Sequence, residues 1–207
     1  PRSRGLGDVY KRQGIELIGD ASFEAEIQAL DIMLDFAQQF EIADVQVVIS
    51  DTRLIDRVLG TLDISNEQKV LLKQAIEHKN MSAFEKILMT IKDFPAHLKR
   101  WPLAFGEDGE TVMWQLQDLP AVTDLVDRWL QLATFIHEHY PDVAVTVDLA
   151  AASPQPYYTG TIIRGFVPSL GRYLFSGGRY DRLLESFQTE SLPVSYTHLT
   201  LPTICSV

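Results

Sequence analysis

Segments with strand-like and helix-like spacing of apolar residues follow one another along the chain. Their order constrains the fold more than any other feature of this sequence. Residues 45–49 and 143–147 alternate apolar and polar side chains, which is typical of β-strands. Residues 122–136 instead repeat their apolar side chains at helical spacing. Two later strand-like segments, residues 157–166 and 172–175, are joined by Pro-Ser-Leu-Gly, a sequence that favours a hairpin turn. This order predicts an α+β domain with a mainly antiparallel sheet and helices on one side.

Residues typical of helix N-caps predict where three helices begin. Ser22 can accept a hydrogen bond from the first turn of an amphipathic helix that ends near residue 39. Ser65 with Gln68, and Ser82 with Glu85, match the spacing of a capping box. The region between the strands is therefore predicted to be mostly helical. Residues 94–109 show no regular period, and we expect the charges at 107–108 to lie in a surface loop.

Both ends of the chain resemble translated adaptor sequence. We predict that residues 1–13 and 193–207 are non-native and that the natural segment is 14–192. The alternatives are a basic arm at the start and a short edge strand at the end. The single cysteine, Cys205, lies in the second of these segments, so no disulfide framework is expected.

Charge and hydropathy limit the classes of partner. The formal net charge is −10, and an acidic chain lacks the basic surface that phosphate backbones require, so no nucleic acid is expected. No run approaches the roughly 20 apolar residues of a membrane span. We therefore expect a cytoplasmic protein without membrane contacts.

Two adjacent tyrosines are candidate ligand-binding residues. On an extended strand Tyr157 and Thr159 would face one side and Tyr158 and Gly160 the other, so one ring could pack in the core while the other lines a cleft. Gly160 would leave bare backbone for a ligand. The alternative is a cross-strand aromatic pair beside a glycine kink.

Gly177, Gly178 and Arg179 form a second candidate site. Glycines before a helix could let its N-terminus receive an anion, and a guanidinium suits phosphate or carboxylate. The alternative is a tight strand-to-helix turn in which Arg179 pairs with Asp181 or Glu185. Glu16, near a strand end, could hold an ammonium group or be a solvated surface residue. We expect no metal site, because His137 and His139 lie two apart on a helix.

Taken in order, three motifs resemble the histidyl-tRNA synthetase family. They are Gly-Ile-Glu-Leu-Ile-Gly at 14–19, Tyr-Tyr-Thr-Gly at 157–160 and Gly-Gly-Arg-Tyr-Asp at 177–181. The resemblance implies a class II aminoacyl-tRNA synthetase-like core with a small helical insertion at about 51–120. In that family the glutamate binds the α-amino group of histidine, the tyrosines line the imidazole pocket and the arginine helps hold ATP. Those roles would fall on Glu16, Tyr157, Tyr158 and Arg179.

The sequence departs from the synthetase pattern beside the tyrosines. Synthetases carry Arg-Gly-Leu-Asp directly before them, and the arginine stabilises charge on the α-phosphate during adenylation. Here the same positions are Ser153, Pro154, Gln155 and Pro156. Residues 161–166 also lack the glutamate that synthetases place after Thr-Val-Phe. A chain of this kind resembles the synthetase paralogue that serves as regulatory subunit of ATP phosphoribosyltransferase in histidine biosynthesis.

This resemblance implies a function in regulation. We expect a non-catalytic subunit with no cofactor, with histidine as effector and with the catalytic subunit of ATP phosphoribosyltransferase as partner in a hetero-oligomer. Two alternatives remain from the sequence. One is an active histidyl-tRNA synthetase, and the other is an interaction module with a vestigial pocket.

Overall fold

The computed structural model describes the backbone of residues 12–182 and 194–200 and the side chains of residues 14–182. The strands are β1 (Arg12–Ile18), β2 (Gln46–Asp51), β3 (Ala144–Val147), β4 (Thr161–Val167), β5 (Arg172–Arg179) and β6 (Val194–Thr200). The α-helices are α1 (Phe23–Gln39), α2 (Leu54–Gly60), α3 (Asn66–Glu77), α4 (Met81–Leu88), α5 (Glu107–Leu116) and α6 (Thr123–His139).

The strands form one mixed sheet in the order β1-β6-β5-β4-β2-β3. The β2–β3 pair is parallel and the other pairs are antiparallel. The β4–β5 hairpin turns through a 3-10 segment, Pro168–Leu170, followed by Gly171 in the left-handed region at φ 61°. The predicted α+β class, the mainly antiparallel sheet and the hairpin are confirmed.

One apolar core joins the sheet to the helices. The buried face of α1 includes Leu30 and Leu34, and α6 buries Trp129 and Leu132. These side chains belong to the same cluster as Ile49 of β2. No helix in the described residues is long and apolar enough to cross a membrane.

The helix caps agree with the sequence at two of three positions. Ser22 Oγ accepts a hydrogen bond from the Ala25 amide at 3.3 Å, and Ser65 forms a reciprocal capping box with its partner on α3. The third prediction was wrong. Asn80 caps α4 by accepting a 3.0 Å hydrogen bond from the Ala83 amide, so Ser82 lies inside the helix.

Three other predicted boundaries differ from the structure. Residues 107–108 begin α5 rather than lying in a loop, so their carboxylates lie at the positive end of a helix. Strand β4 begins at Thr161, after the tyrosine pair. Strand β5 extends to Arg179, so Gly177 and Gly178 are strand residues. The helix expected from Asp181 to about 187 lies mostly outside the described residues.

The segments predicted to be non-native contribute backbone to the sheet. Residues 12–13 belong to β1, and residues 194–200 form β6, which pairs with β1 on one side and β5 on the other. Strand β6 is therefore an interior strand and not an edge strand. The predicted adaptor origin of 1–13 and 193–207 stays a prediction.

We predict that Gly165→Ala destabilises the sheet. A Cβ at Gly165 would lie 2.3 Å from the Phe175 ring of the paired strand, so the buried ring would have to move. We expect a loss of about 1–3 kcal/mol in the free energy of unfolding, measured with urea. Gly60→Ala is the matched control, because no atom lies within 4 Å of its added Cβ. Equal stability of the two variants would contradict the prediction.

Candidate functional site

The two candidate tyrosines pack against a third tyrosine. Ring centroids of Tyr157 and Tyr158 lie 5.3 Å apart, and that of Tyr180 lies 5.5 Å from Tyr157 and 6.3 Å from Tyr158. We call these three residues the tyrosine cluster. Tyr158 and Tyr180 are buried, whereas Tyr157 is half-buried. The tyrosine cluster is separate from the main apolar core and packs against Ile162 of β4.

The expected alternation of the tyrosines across a strand was wrong. Residues 157–160 form an irregular segment before β4, and the Tyr158 amide donates to the Gln155 carbonyl at 3.3 Å. The preceding prolines at 154 and 156 have no amide hydrogen to donate to a strand ladder. Both rings can therefore turn towards Tyr180 instead of pointing to opposite faces.

Glu16 lies beside the tyrosine cluster. Its side chain is exposed on β1, and it is hydrogen-bonded to Tyr180. Burial, followed by the negative charge of Glu16, raises the pKa of the Tyr180 phenol above its ordinary value. The structure thus brings Glu16, Tyr157 and Tyr158 together, as expected from the sequence.

Thr159 and Gly160 fix the segment that carries the tyrosines. The Thr159 amide donates to the Arg179 carbonyl at 2.7 Å, and the Thr159 hydroxyl accepts from the Asp181 amide at 3.1 Å. The Gly160 carbonyl accepts from the Thr52 amide at 3.1 Å. These contacts make Thr159 and Gly160 supports of the segment that carries the two tyrosines. Their predicted contact with a ligand stays a prediction.

Gly178 forms the surface on which Tyr158 packs. A Cβ at Gly178 would lie 3.0 Å from the Tyr158 ring, so any larger residue here would require the ring to shift. Gly177 and Gly178 pair with Ile163 and Ile162 across β4. They are extended strand residues, so the predicted turn at Gly177 and Gly178 was wrong. The helix expected to follow lies mostly outside the described residues.

Arg179 is buried in a network of carboxylates. Its Nε donates to Asp181 at 2.8 Å, and its Nη1 donates to Glu26 Oε1 at 3.0 Å and to the Ser22 carbonyl at 3.2 Å. Arg128 of α6 donates to the same Glu26 oxygen at 2.8 Å. Burial alone would lower the pKa of Arg179, but its hydrogen bonds to Asp181 and Glu26 outweigh that effect and raise it.

The pairing of Arg179 with Asp181 agrees with the alternative in which Arg179 forms an ion pair within the protein. A role of Arg179 in binding an anion stays a prediction. Sequence reasoning missed Glu26, which lies in the first turn of α1 and is a buried ion-pair partner. It also missed Tyr180 as the third ring, although this residue lies within the Gly-Gly-Arg-Tyr-Asp motif.

The segment before the tyrosines carries no cation. Residues 152–156 are exposed, and the Ser153 hydroxyl donates to the Gln155 carbonyl at 2.6 Å. No side chain of residues 152–156 carries a fixed positive charge. Within the described residues, no group of three or more histidine, cysteine or acidic side chains could hold a metal ion.

We predict that Arg179→Met costs about 1.5–3 kcal/mol in the free energy of unfolding, because the buried Glu26 carboxylate loses one of its two arginine partners and keeps only Arg128. The control is Arg57→Met. Arg57 pairs with Asp124, whose side chain is 59% exposed, and the expected loss is about 0–1 kcal/mol. Urea denaturation measures both values. A loss at Arg179 no larger than that at Arg57 would contradict a structural role.

We also predict that the fold loses stability in alkali through Tyr158. Burial, followed by the charge of an ionised Tyr157, raises the pKa of Tyr158 to about 12 from an ordinary value of 10.0. Its contribution is therefore fully present below the unfolded pKa and is lost as the pH rises towards about 12. Urea titrations at about pH 9 and about pH 11 should show a smaller drop for Tyr158→Phe than for the unmodified chain. Equal drops would rule out this contribution.

Comparison with known proteins places this geometry in a family. The family model described as Histidyl-tRNA synthetase matches residues 10–194. The ATP phosphoribosyltransferase regulatory subunit of Lacticaseibacillus casei (strain BL23) is 34% identical over 194 residues, which cover 91% of this chain and 50% of the relative. The chain thus spans about half the length of the curated relatives it matches.

Solved structures share the fold. An ATP phosphoribosyltransferase regulatory subunit/histidyl-tRNA synthetase from Bacillus halodurans C has a TM-score of 0.76 at 19% identity, covering 92% of this chain and 51% of that chain. A chain of the ATP phosphoribosyl transferase (HisG:HisZ) complex from Thermotoga maritima has a TM-score of 0.74 at 20% identity, covering 93% and 66%. The predicted class II synthetase-like fold is confirmed, and the chain belongs to the histidyl-tRNA synthetase family.

Proposed function

We propose that this chain is part of a non-catalytic regulatory subunit of ATP phosphoribosyltransferase, which binds histidine and controls a separate catalytic subunit in the cytoplasm. The observation that carries the proposal is an intact tyrosine cluster beside an exposed segment without a cation, residues 152–156. The family's adenylation step needs a fixed positive charge at this point. Losing one such donor typically costs about 10²–10³ in rate. The pocket is therefore suited to binding an amino acid without activating it.

The geometry suits histidine as the ligand. Glu16 provides an exposed carboxylate for an ammonium group, and the half-buried Tyr157 ring provides an aromatic surface for an imidazole. Tyr158 and Tyr180 hold that ring from behind, through edge contacts at 5.3 and 5.5 Å. Arg179 of β5 hydrogen-bonds to Glu26 of α1 and to the segment that carries the tyrosines. A ligand bound at the tyrosines would therefore be linked to the sheet through Arg179.

Regulation requires a partner that responds to the bound ligand. The relatives named as regulatory subunits, and the structural likeness to a chain of the Thermotoga maritima complex, support a hetero-oligomer with the catalytic subunit. The coupling free energy between the histidine site and the catalytic site would be about 1–3 kcal/mol, typical of allosteric systems.

A histidine–tRNA ligase is the second candidate. It is favoured by the family model itself, which is described as Histidyl-tRNA synthetase. It requires a catalytic cation from outside the segment before the tyrosines. Histidine-dependent pyrophosphate exchange distinguishes the two, because only the ligase forms an adenylate.

We predict that the full chain, with any sequence that adjoins these residues in its gene, activates a short-form catalytic subunit. Phosphoribosyl transfer to ATP should rise on adding the chain and become sensitive to histidine. Tyr157→Ala should weaken the histidine response about 2- to 12-fold, which corresponds to the loss of one aromatic contact. Trp114→Ala, at an exposed position on α5, is the control and should leave the response unchanged.

If the chain does not change the turnover of the catalytic subunit, pyrophosphate exchange decides between the two alternative functions. Unchanged turnover with histidine-dependent pyrophosphate exchange would establish the ligase. Unchanged turnover without exchange would establish an interaction module with a vestigial pocket.

A further inference from the structure

A cleft lies where α1 and α6 end, beside the first residues of β2 and β3. Its volume is about 520 Å³. Part of its wall is apolar and includes Leu34 of α1 and Val143, which directly precedes β3. The charged side chains in its lining are Glu41, Asp44 and Asp142, and all three are exposed. The cleft thus combines an apolar wall with an acidic rim.

The negative charge of this rim is not compensated by nearby cations. Residues 13–52 and 129–163, from which the cleft is built, contain no lysine or arginine. Within the part of the chain that the structure describes, the three rim carboxylates form no ion pair and no hydrogen bond. The last carbonyl groups of α1 and α6 add partial negative charge at the same place. The histidines in the last turn of α6 do not line the cleft.

Glu41 occupies a backbone position that favours glycine. Its φ is 53°, and it follows α1 in a motif in which the Ile42 amide donates to the Ala37 carbonyl at 2.9 Å. Lys79 holds the same position after α3, at φ 52°, and its ammonium pairs with Asp148 at 2.9 Å. A contact of the side chain offsets the backbone strain there. The Glu41 carboxylate makes no such contact within the described residues, which leaves it available to another molecule.

The chemistry of the cleft fits a basic side chain of another protein. Lysine and arginine lay their aliphatic stems along apolar surface and keep their charged heads in polar surroundings. A cleft lined by one sign of charge also focuses its field and speeds the association of an oppositely charged partner. A bare metal ion would make no use of the apolar wall, and the phosphates of a nucleic acid would be repelled by the rim.

We propose that this cleft docks an arginine- or lysine-bearing segment of the catalytic subunit. The inference rests on the proposed function and adds the surface that recognises the partner. The aliphatic stem of the basic side chain lies against Leu34 and Val143, and its head lies among the carboxylates of Glu41, Asp44 and Asp142. Charge complementarity selects the partner, because an acidic or uncharged segment would leave the rim uncompensated.

Strand β2 runs from this cleft to the segment that carries the tyrosines. Val45, directly before β2, lines the cleft, and the Thr52 amide, directly after β2, donates to the Gly160 carbonyl. At about 3.3 Å per residue these two ends of the strand lie about 23 Å apart. Substitutions at the rim of the cleft therefore leave the proposed histidine contacts in place.

Calorimetric titration of the full chain with a short-form catalytic subunit tests the docking. The test variant combines Glu41→Gln, Asp44→Asn and Asp142→Asn, which removes three charges at nearly constant side-chain size. It should weaken binding of the catalytic subunit about 10- to 100-fold and change histidine binding less than about twofold. Raising the salt concentration should weaken binding by the unmodified chain more than binding by the test variant.

The matched control variant removes three charges elsewhere on the surface. It combines Asp63→Asn, Glu85→Gln and Asp118→Asn, which are exposed and lie outside the cleft. Its net charge equals that of the test variant, and its binding of the catalytic subunit should change less than about twofold.

Stability provides a second readout. Glu41→Gly should raise the urea midpoint, because glycine adopts a positive φ without strain, and should still weaken binding of the catalytic subunit. The triple test variant should keep or raise the midpoint, because it removes repulsion between like charges. A lowered midpoint would assign the three carboxylates to the fold and overturn the proposal.

The remaining outcomes separate this inference from the proposed function. Unchanged binding by the test variant, or equal losses in test and control variants, would overturn the docking site and leave the regulatory role intact. Loss of self-association in sedimentation, with binding of the catalytic subunit unchanged, would assign the cleft to a second copy of this chain instead. Absence of binding between the unmodified chain and the catalytic subunit would overturn the proposed function together with this inference.

Discussion

The position of the tyrosine cluster depends on one buried ion pair, between Arg179 at the end of β5 and Glu26 on α1. Arg128 of α6 shares the Glu26 oxygen, so the same carboxylate joins a strand to two helices. Asp181 and Thr159 are held by the side chain and backbone of Arg179, respectively. Because charges of this kind are costly to bury unpaired, the three elements can pack only when all the partners are in place. The position of the tyrosine cluster follows from that packing.

Periodicity predicted the elements of this fold because most of them bury one regular face. The strands at 45–49 and 143–147, and the long helix before the second of them, follow that rule. The prediction of a helix start failed where a neighbouring side chain makes the capping hydrogen bond instead. Asn80 took the cap expected of Ser82, because an asparagine side chain two residues upstream can accept from the same turn.

The sequence predicted which residues belong to the candidate site better than it predicted how they are arranged. The motifs identified Glu16 and the tyrosine pair, but nothing in the spacing indicates that residues 157–160 leave the strand. That departure depends on the prolines and on a third ring, Tyr180, more than twenty residues later. Likewise, Gly177 and Gly178 suggested a turn, whereas in the structure Gly178 is a strand residue that leaves room for the Tyr158 ring. Contacts between residues so far apart in the sequence leave no recognisable pattern in a short stretch of residues.

The backbone contact between Thr52 and Gly160 has a consequence for how the family can diversify. The chain leaves the sheet at Thr52, and the Thr52 amide bonds to the Gly160 carbonyl 108 residues later. Helices α2–α4 therefore lie in a long excursion that begins beside the segment carrying the tyrosines and returns to the sheet at β3. The entropy of closing a loop grows only with the logarithm of its length. Such an excursion can gain or lose turns of helix, and with them surface for different partners, while the tyrosine cluster keeps its position.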